Sequence, residues 1–248
     1  MSFFDGNARS PVSAGVSRVG AAQYDAGLRA YMLGIYNHMT LGLAISALVA
    51  VGTTMLVRSN PSLFYALYVS PLKWLIVLAP LGFVMFMSFR FERASYPSLL
   101  GMFWAFAAVM GLSLSTLFLL YRVGSVVQVF FVTAAAFGAL SLYGYTTRRS
   151  LSAMGSFMMM GLVGIIIAML INLFVQSSAF QFALNVLGVV IFAGLTAWDT
   201  QRLKDAYDQV SHDGTLMAKY SLMGALTLYL NFINMFQFLL SIMGSRNN

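Results

Sequence analysis

Seven apolar stretches alternate with short polar segments along the chain: Leu33–Val57, Leu72–Phe89, Leu99–Leu120, Val126–Tyr145, Met154–Val175, Ala179–Trp198 and Leu222–Ile242. A helix needs roughly 20 residues to cross a hydrocarbon core, and each stretch is close to that length. The pattern predicts an all-α polytopic protein of seven transmembrane helices. The connections are short, which favours antiparallel neighbours in a compact bundle. The longest, from Asp199 to Ser221, is also the most charged and is expected to be a solvated linker. Met1 to Leu28 is polar, rich in Gly, Ser and Ala, and lacks the apolar core of a cleavable signal peptide. Residues 1–28 are expected to form a disordered cytoplasmic tail, and residues 29–248 the seven-helix domain.

Composition supports lipid as the outer solvent. The chain is 60% hydrophobic and 8% charged, against about 25% charged in an ordinary soluble domain. A net charge of +7 here is no sign of nucleic-acid binding, because the basic residues are scattered singly or in pairs. They serve better as topology markers. The tail and the second, fourth and sixth connections hold Arg9, Arg18, Arg29, Arg90, Arg93, Arg148, Arg149, Arg202, Lys204 and Lys219. The opposite side holds Arg58, Lys73, Arg122 and Arg246. This distribution predicts a cytoplasmic N-terminus and an outside C-terminus. The chain has no Cys, which excludes disulfides, thiolate metal sites and Cys nucleophiles.

Gly111 and Ser115, and Ala134 and Gly138, are small residues four apart, a spacing that permits close helix approach. Pro80 lies within the second span, where it removes a backbone donor and is expected to kink the helix. No fixed-period repeat or matched pair of broken helices suggests an inverted-repeat transporter.

Candidate chemistry centres on Asp199, which follows a 20-residue stretch without charge, Ala179 to Trp198. It is either an interfacial acid facing water or a partnered group within the bundle. The helix macrodipole disfavours a carboxylate at a helix C-terminus, which argues for a partner. Arg90, at the same end of the second span, is the expected one, and Thr196 shares a helix face with Asp199. In the seventh span Thr227, Asn231 and Asn234 form a polar stripe at i, i+4 and i+7, expected to face the bundle interior. Asn172, Asn185, Asn37 and His38 call for the same treatment. Asp205, Asp208, His212 and Asp213 lack the pattern of a calcium loop. No GxSxG, HExxH, P-loop or dinucleotide fingerprint occurs. Neither an enzyme nor a bound cofactor is expected.

The stretch from Phe192 to Gln201, FAGLTAWDTQ, with Ala225 to Phe236, ALTLYLNFINMF, and Gly138 to Thr147, GALSLYGYTT, resembles the bacterial branch of the Bax inhibitor family. The resemblance covers Tyr31 to Met243. It implies six helices surrounding a central seventh, and a pH-sensitive cation leak, chiefly of Ca²⁺. It also implies two Asp residues, on the sixth and seventh spans, that share a proton and are latched by an Arg of the second span. Asp199 matches the first acid and Arg90 the latch, but Asn231 occupies the second acid position. An amide does not titrate in this range, so the implied pH sensing is expected to be weakened. Two functions are therefore expected as alternatives. One is a passive calcium or cation leak through Asp199, Arg90 and Asn231. The other is a membrane-bound regulator that uses its tail and loops to contact a membrane protease or another quality-control protein.

Overall fold

The computed structural model describes residues 11–247, with side chains from Gln23 onward. Most of the expected tail, with Arg9 and Arg18, and the contacts it would make with a partner lie outside the residues described to that level. From Pro11 the backbone is helical. The elements are α1 (Pro11–Ser59), a short α2 (Pro61–Phe64) continued by a π-helical turn (Tyr65–Val69), α3 (Leu72–Arg90), α4 (Tyr96–Leu120), α5 (Val123–Thr146), α6 (Ser152–Val175), α7 (Ser178–Val210) and α8 (Gly214–Met243). Seven of these helices are long and apolar enough to cross a membrane, and each contains one predicted span.

The region from Asp199 to Ser221 is not a linker. Helix α7 continues without a break through Val210, and α8 starts at Gly214. Leu203, Tyr207 and Val210 are buried and lie at i, i+4 and i+7, so this charged stretch is an amphipathic helix with one face on the bundle. Asp205 and Asp208 lie on its exposed side, and His212 is exposed in the turn that follows. Asp213 caps α8 by accepting from Thr215 N and Leu216 N at 2.8 and 3.1 Å. At 33 residues, α7 is about 50 Å long, well beyond the roughly 30 Å of a hydrocarbon core.

Helix α8 is the core element. It packs on α1, α4, α5 and α7, while α3 packs on α4 and α6 on α7. The expected arrangement around the last helix is thus built with four direct neighbours and two outer helices. At one end the α8 C-terminus folds over the α4–α5 turn, where Arg122 N donates to Ser245 O and Asn247 N to Leu120 O. At the other end Tyr24 of α1 donates to Asp208 of α7. The N-terminal part of α1 and the C-terminus therefore lie at opposite ends of the bundle.

The two small-residue pairs behave differently. At Gly111 a Cβ would stand 2.5 Å from Ser46 O and 2.8 Å from Val49 Cβ, and Ser115 O accepts from Thr54 Oγ1 at 3.3 Å, so this pair is the close α1–α4 contact. A Cβ at Gly138 would meet nothing within 4 Å. The expected close approach is absent at Gly138, and α5 reaches α7 through Gly144 instead, where a Cβ would lie 2.1 Å from Ala197 O.

Pro80 sits inside α3 and leaves Ile76 O, one turn earlier, without its helical N–H. Ser113 Oγ of α4 donates to that carbonyl at 2.6 Å. A neighbouring hydroxyl thus satisfies the group the proline freed. Ser113→Ala is expected to lower stability by about 1–2 kcal/mol, because it orphans a carbonyl away from water. Thermal unfolding in detergent measures it, and Pro80→Ala in the same background should recover most of the loss.

Candidate functional site

Asp199 lies about 30 Å along α7 from Ser178, three helical turns short of Val210. Its side chain is 5% exposed. The interfacial reading, a carboxylate facing water at a helix end, is therefore overturned. The residue lies inside the helix and inside the bundle. Asn231, on the most buried helix, donates from Nδ2 to Asp199 Oδ2 at 2.7 Å. The expected juxtaposition of the sixth and seventh spans at these two residues is present, as an acid–amide pair.

The cation beside Asp199 is Arg202 and not Arg90. Arg202 Nη2 stands 2.8 Å from Asp199 Oδ1, the sole ion pair among the described residues. Its N–H does not point along that contact, so Oδ1 accepts no aligned hydrogen bond. The interaction is a charge contact with a side chain that is 52% exposed, and water screens it. The guanidinium also lies over the Trp198 ring, 4.8 Å from its centroid. Arg90 is exposed at the end of α3 and stacks on Phe86 at 5.8 Å. Helix α3 makes no close backbone approach to α7 or α8, and Arg90 forms no ion pair with Asp199. The signal for Arg202 was local: a residue three after an acid shares its helix face.

The polar stripe of α8 divides. Thr227 Oγ1 donates to Met223 O at 3.1 Å and Asn234 Nδ2 to Leu230 O at 2.8 Å, both within their own helix. Asn231 alone reaches across to α7. Thr196 is fully buried and likewise donates back along α7, to Phe192 O at 2.7 Å.

Three residues after the acid pin α7 against its neighbours, and sequence reasoning did not single them out. Thr200 Oγ1 lies 2.8 Å from Thr196 O and 3.3 Å from Ser141 Oγ of α5. Gln201 holds the α5–α6 turn, donating to Arg149 O at 2.9 Å and accepting from Leu151 N at 2.8 Å. Lys204 donates to Tyr145 O at 2.9 Å. Each sits on the buried or half-buried side of the segment first taken as a linker, so the same amphipathic pattern carried all three.

The remaining polar candidates stabilise helix ends and contacts. Asn172 donates to Gln181 and accepts from Ser177 N, and Gln181 donates to Asn185, which fastens the tight α6–α7 turn. That turn needs the left-handed residue Gln176, with φ of 53°. His38 has both ring nitrogens occupied, by Gly34 O at 2.7 Å and Tyr96 Oη at 3.1 Å, and its ring stacks on Trp104. Asn37 is exposed. Among the described residues no group of three His, Cys, Asp or Glu side chains could hold a metal ion.

Residues 28–248 match the family described as Inhibitor of apoptosis-promoting Bax1. A protein of Caulobacter vibrioides is 44% identical over 225 residues, covering 89% of this chain and 90% of that protein. A Rickettsia prowazekii protein is 42% identical over 225 residues, with 91% and 93% covered. The inner membrane protein YbhL of Escherichia coli K12 is 41% identical over 224 residues, with 89% and 94% covered. The chain is an integral membrane protein, and its match along nearly its whole length shows that it belongs to the Bax inhibitor family.

Proposed function

We propose that the chain is a passive leak for calcium or another small cation, with Asp199 as the charged element of the path and Arg202 as its latch. The observation that carries this reading is a carboxylate held within the bundle by one amide and one half-exposed guanidinium. Acids persist within a spanning bundle mainly for a function, and ion pathways are one such function. Asn231 serves as a neutral oxygen ligand, since hard cations accept amide oxygens as well as carboxylates. Arg202 can swing into water, because more than half of its side chain is already there. The end of the bundle that carries Arg90, Arg148, Arg149 and Lys204 faces the cytoplasm, so the latch is on the cytoplasmic side of the acid. No enzymatic activity or bound cofactor enters this function.

Calcium flux into sealed liposomes tests it. Asp199→Asn should abolish the leak to the protein-free level. Arg202→Gln should raise it about fivefold, the ratio that corresponds to a half-screened ion pair, and Arg90→Gln should leave it unchanged. Asn231→Asp sets two carboxylates in direct contact, which cannot both stay ionised without mutual cost. Its flux should vary more steeply than the parent's roughly between pH 6 and pH 8. A leak indifferent to both Asp199 and Arg202 would overturn the proposal.

A further inference from the structure

Helices α1 and α5 both pack on α4, α7 and α8 but make no backbone contact with each other. The seam between them holds a cavity of about 480 Å³ towards the basic end of the bundle. A second cavity, of about 280 Å³, lies further along the same two helices. The first has the size of a ligand site. Its lips include Leu33 and Leu142, which are 50% and 63% exposed on the outer surface of their spans. Gly138 leaves open space beneath them, and buried Ser141 lies at the floor.

The lining contains one charge, Arg29, and no acid. Arg29 is exposed, and among the described residues it forms no ion pair with a carboxylate. Tyr145, also in the lining, carries the Lys204 ammonium on its carbonyl, so a second cation stands at the same end. An apolar cleft that opens sideways from a spanning bundle, with unpaired positive charge at its basic end, matches one molecule in both halves. The acyl chain fills the cleft between α1 and α5, and the anionic phosphate meets Arg29.

We infer that the α1–α5 cleft is a binding site for an anionic glycerophospholipid, with its acyl chain against Gly138 and its headgroup at Arg29. Basic pockets between spanning helices near a charged membrane face recognise anionic headgroups in this way. A bound chain passes Ser141, one hydrogen bond from Thr200, the residue next to Asp199. The site does not depend on whether the protein conducts ions.

Native mass spectrometry of the purified full chain, with phosphatidylglycerol or phosphatidylcholine of identical acyl chains, tests the site. The parent should favour phosphatidylglycerol about fivefold, the preference one basic residue near a headgroup confers. Arg29→Gln should bring the two lipids to parity. Gly138→Leu should reduce retention of both, because the new side chain occupies the cleft; it strengthens the helix, so folding is preserved. An unchanged preference in Arg29→Gln would overturn the inference. So would unchanged retention in Gly138→Leu, or displacement of the lipid by equimolar glycerol 3-phosphate, which would mean that only an anion is held.

Discussion

Replacing Asn231 with leucine is expected to destabilise the folded chain by about 3 kcal/mol, in the range found when a buried charge loses a partner. The loss is larger than that of an ordinary hydrogen bond for a geometric reason. Asp199 Oδ2 has Asn231 Nδ2 at 2.7 Å, and Oδ1 has only the misaligned Arg202. Without the amide, a carboxylate that is 5% exposed retains a single screened charge contact. Asp199→Leu alone should cost less, about 1–3 kcal/mol, because it strands a neutral amide and lets Arg202 relax into water. The double variant should be close to the parent, since apolar residues replace a buried polar pair with little net change. Denaturant unfolding in detergent of all four proteins gives the coupling. Additive losses would mean that the contact between α7 and α8 contributes nothing as a pair.

The fold was legible because lipid imposes a simple rule. Every backbone polar group must be satisfied within its own helix, so span length and apolarity are enough to locate each crossing. That placed all seven helices and brought Asp199 and Asn231 onto adjacent spans. The extent of α7 was less legible, because charge was allowed to end the span. The periodicity of Leu203, Tyr207 and Val210 shows that the helix continues past the point where hydropathy falls. Arg90 was chosen by depth along the membrane, and depth does not say which helices touch. The backbone of α3 packs on α4 and not on α7, so an arginine at the right height forms no ion pair with the acid. Small-residue spacing had the same weakness. It found the α1–α4 contact at Gly111 and a cleft at Gly138, because spacing shows where a helix could be approached and not whether a neighbour is there.

Gly144→Ala, a single added methyl group, is expected to cost about 3 kcal/mol or more, at the upper end of overpacking effects. The new Cβ would lie 2.1 Å from Ala197 O and 2.9 Å from Ala197 C. Both are backbone atoms of α7, so no side chain can rotate aside. Relief requires moving α5 away from α7, and that movement acts on the site. Ser141 would leave Thr200, and Tyr145 O would leave Lys204, on either side of the strained contact. The comparison is Gly164→Ala in α6, where a Cβ would meet nothing within 4 Å. There alanine should stabilise by about 0.5–1 kcal/mol, because glycine loses more freedom than alanine on entering a helix. Thermal unfolding of the two variants should therefore shift in opposite directions. The Gly144→Ala protein should also show faster hydrogen exchange at Thr200 and Gln201, as the α5–α7 contact that pins this segment is loosened. Equal shifts in melting temperature would mean that α5 and α7 are not held in backbone contact at Gly144.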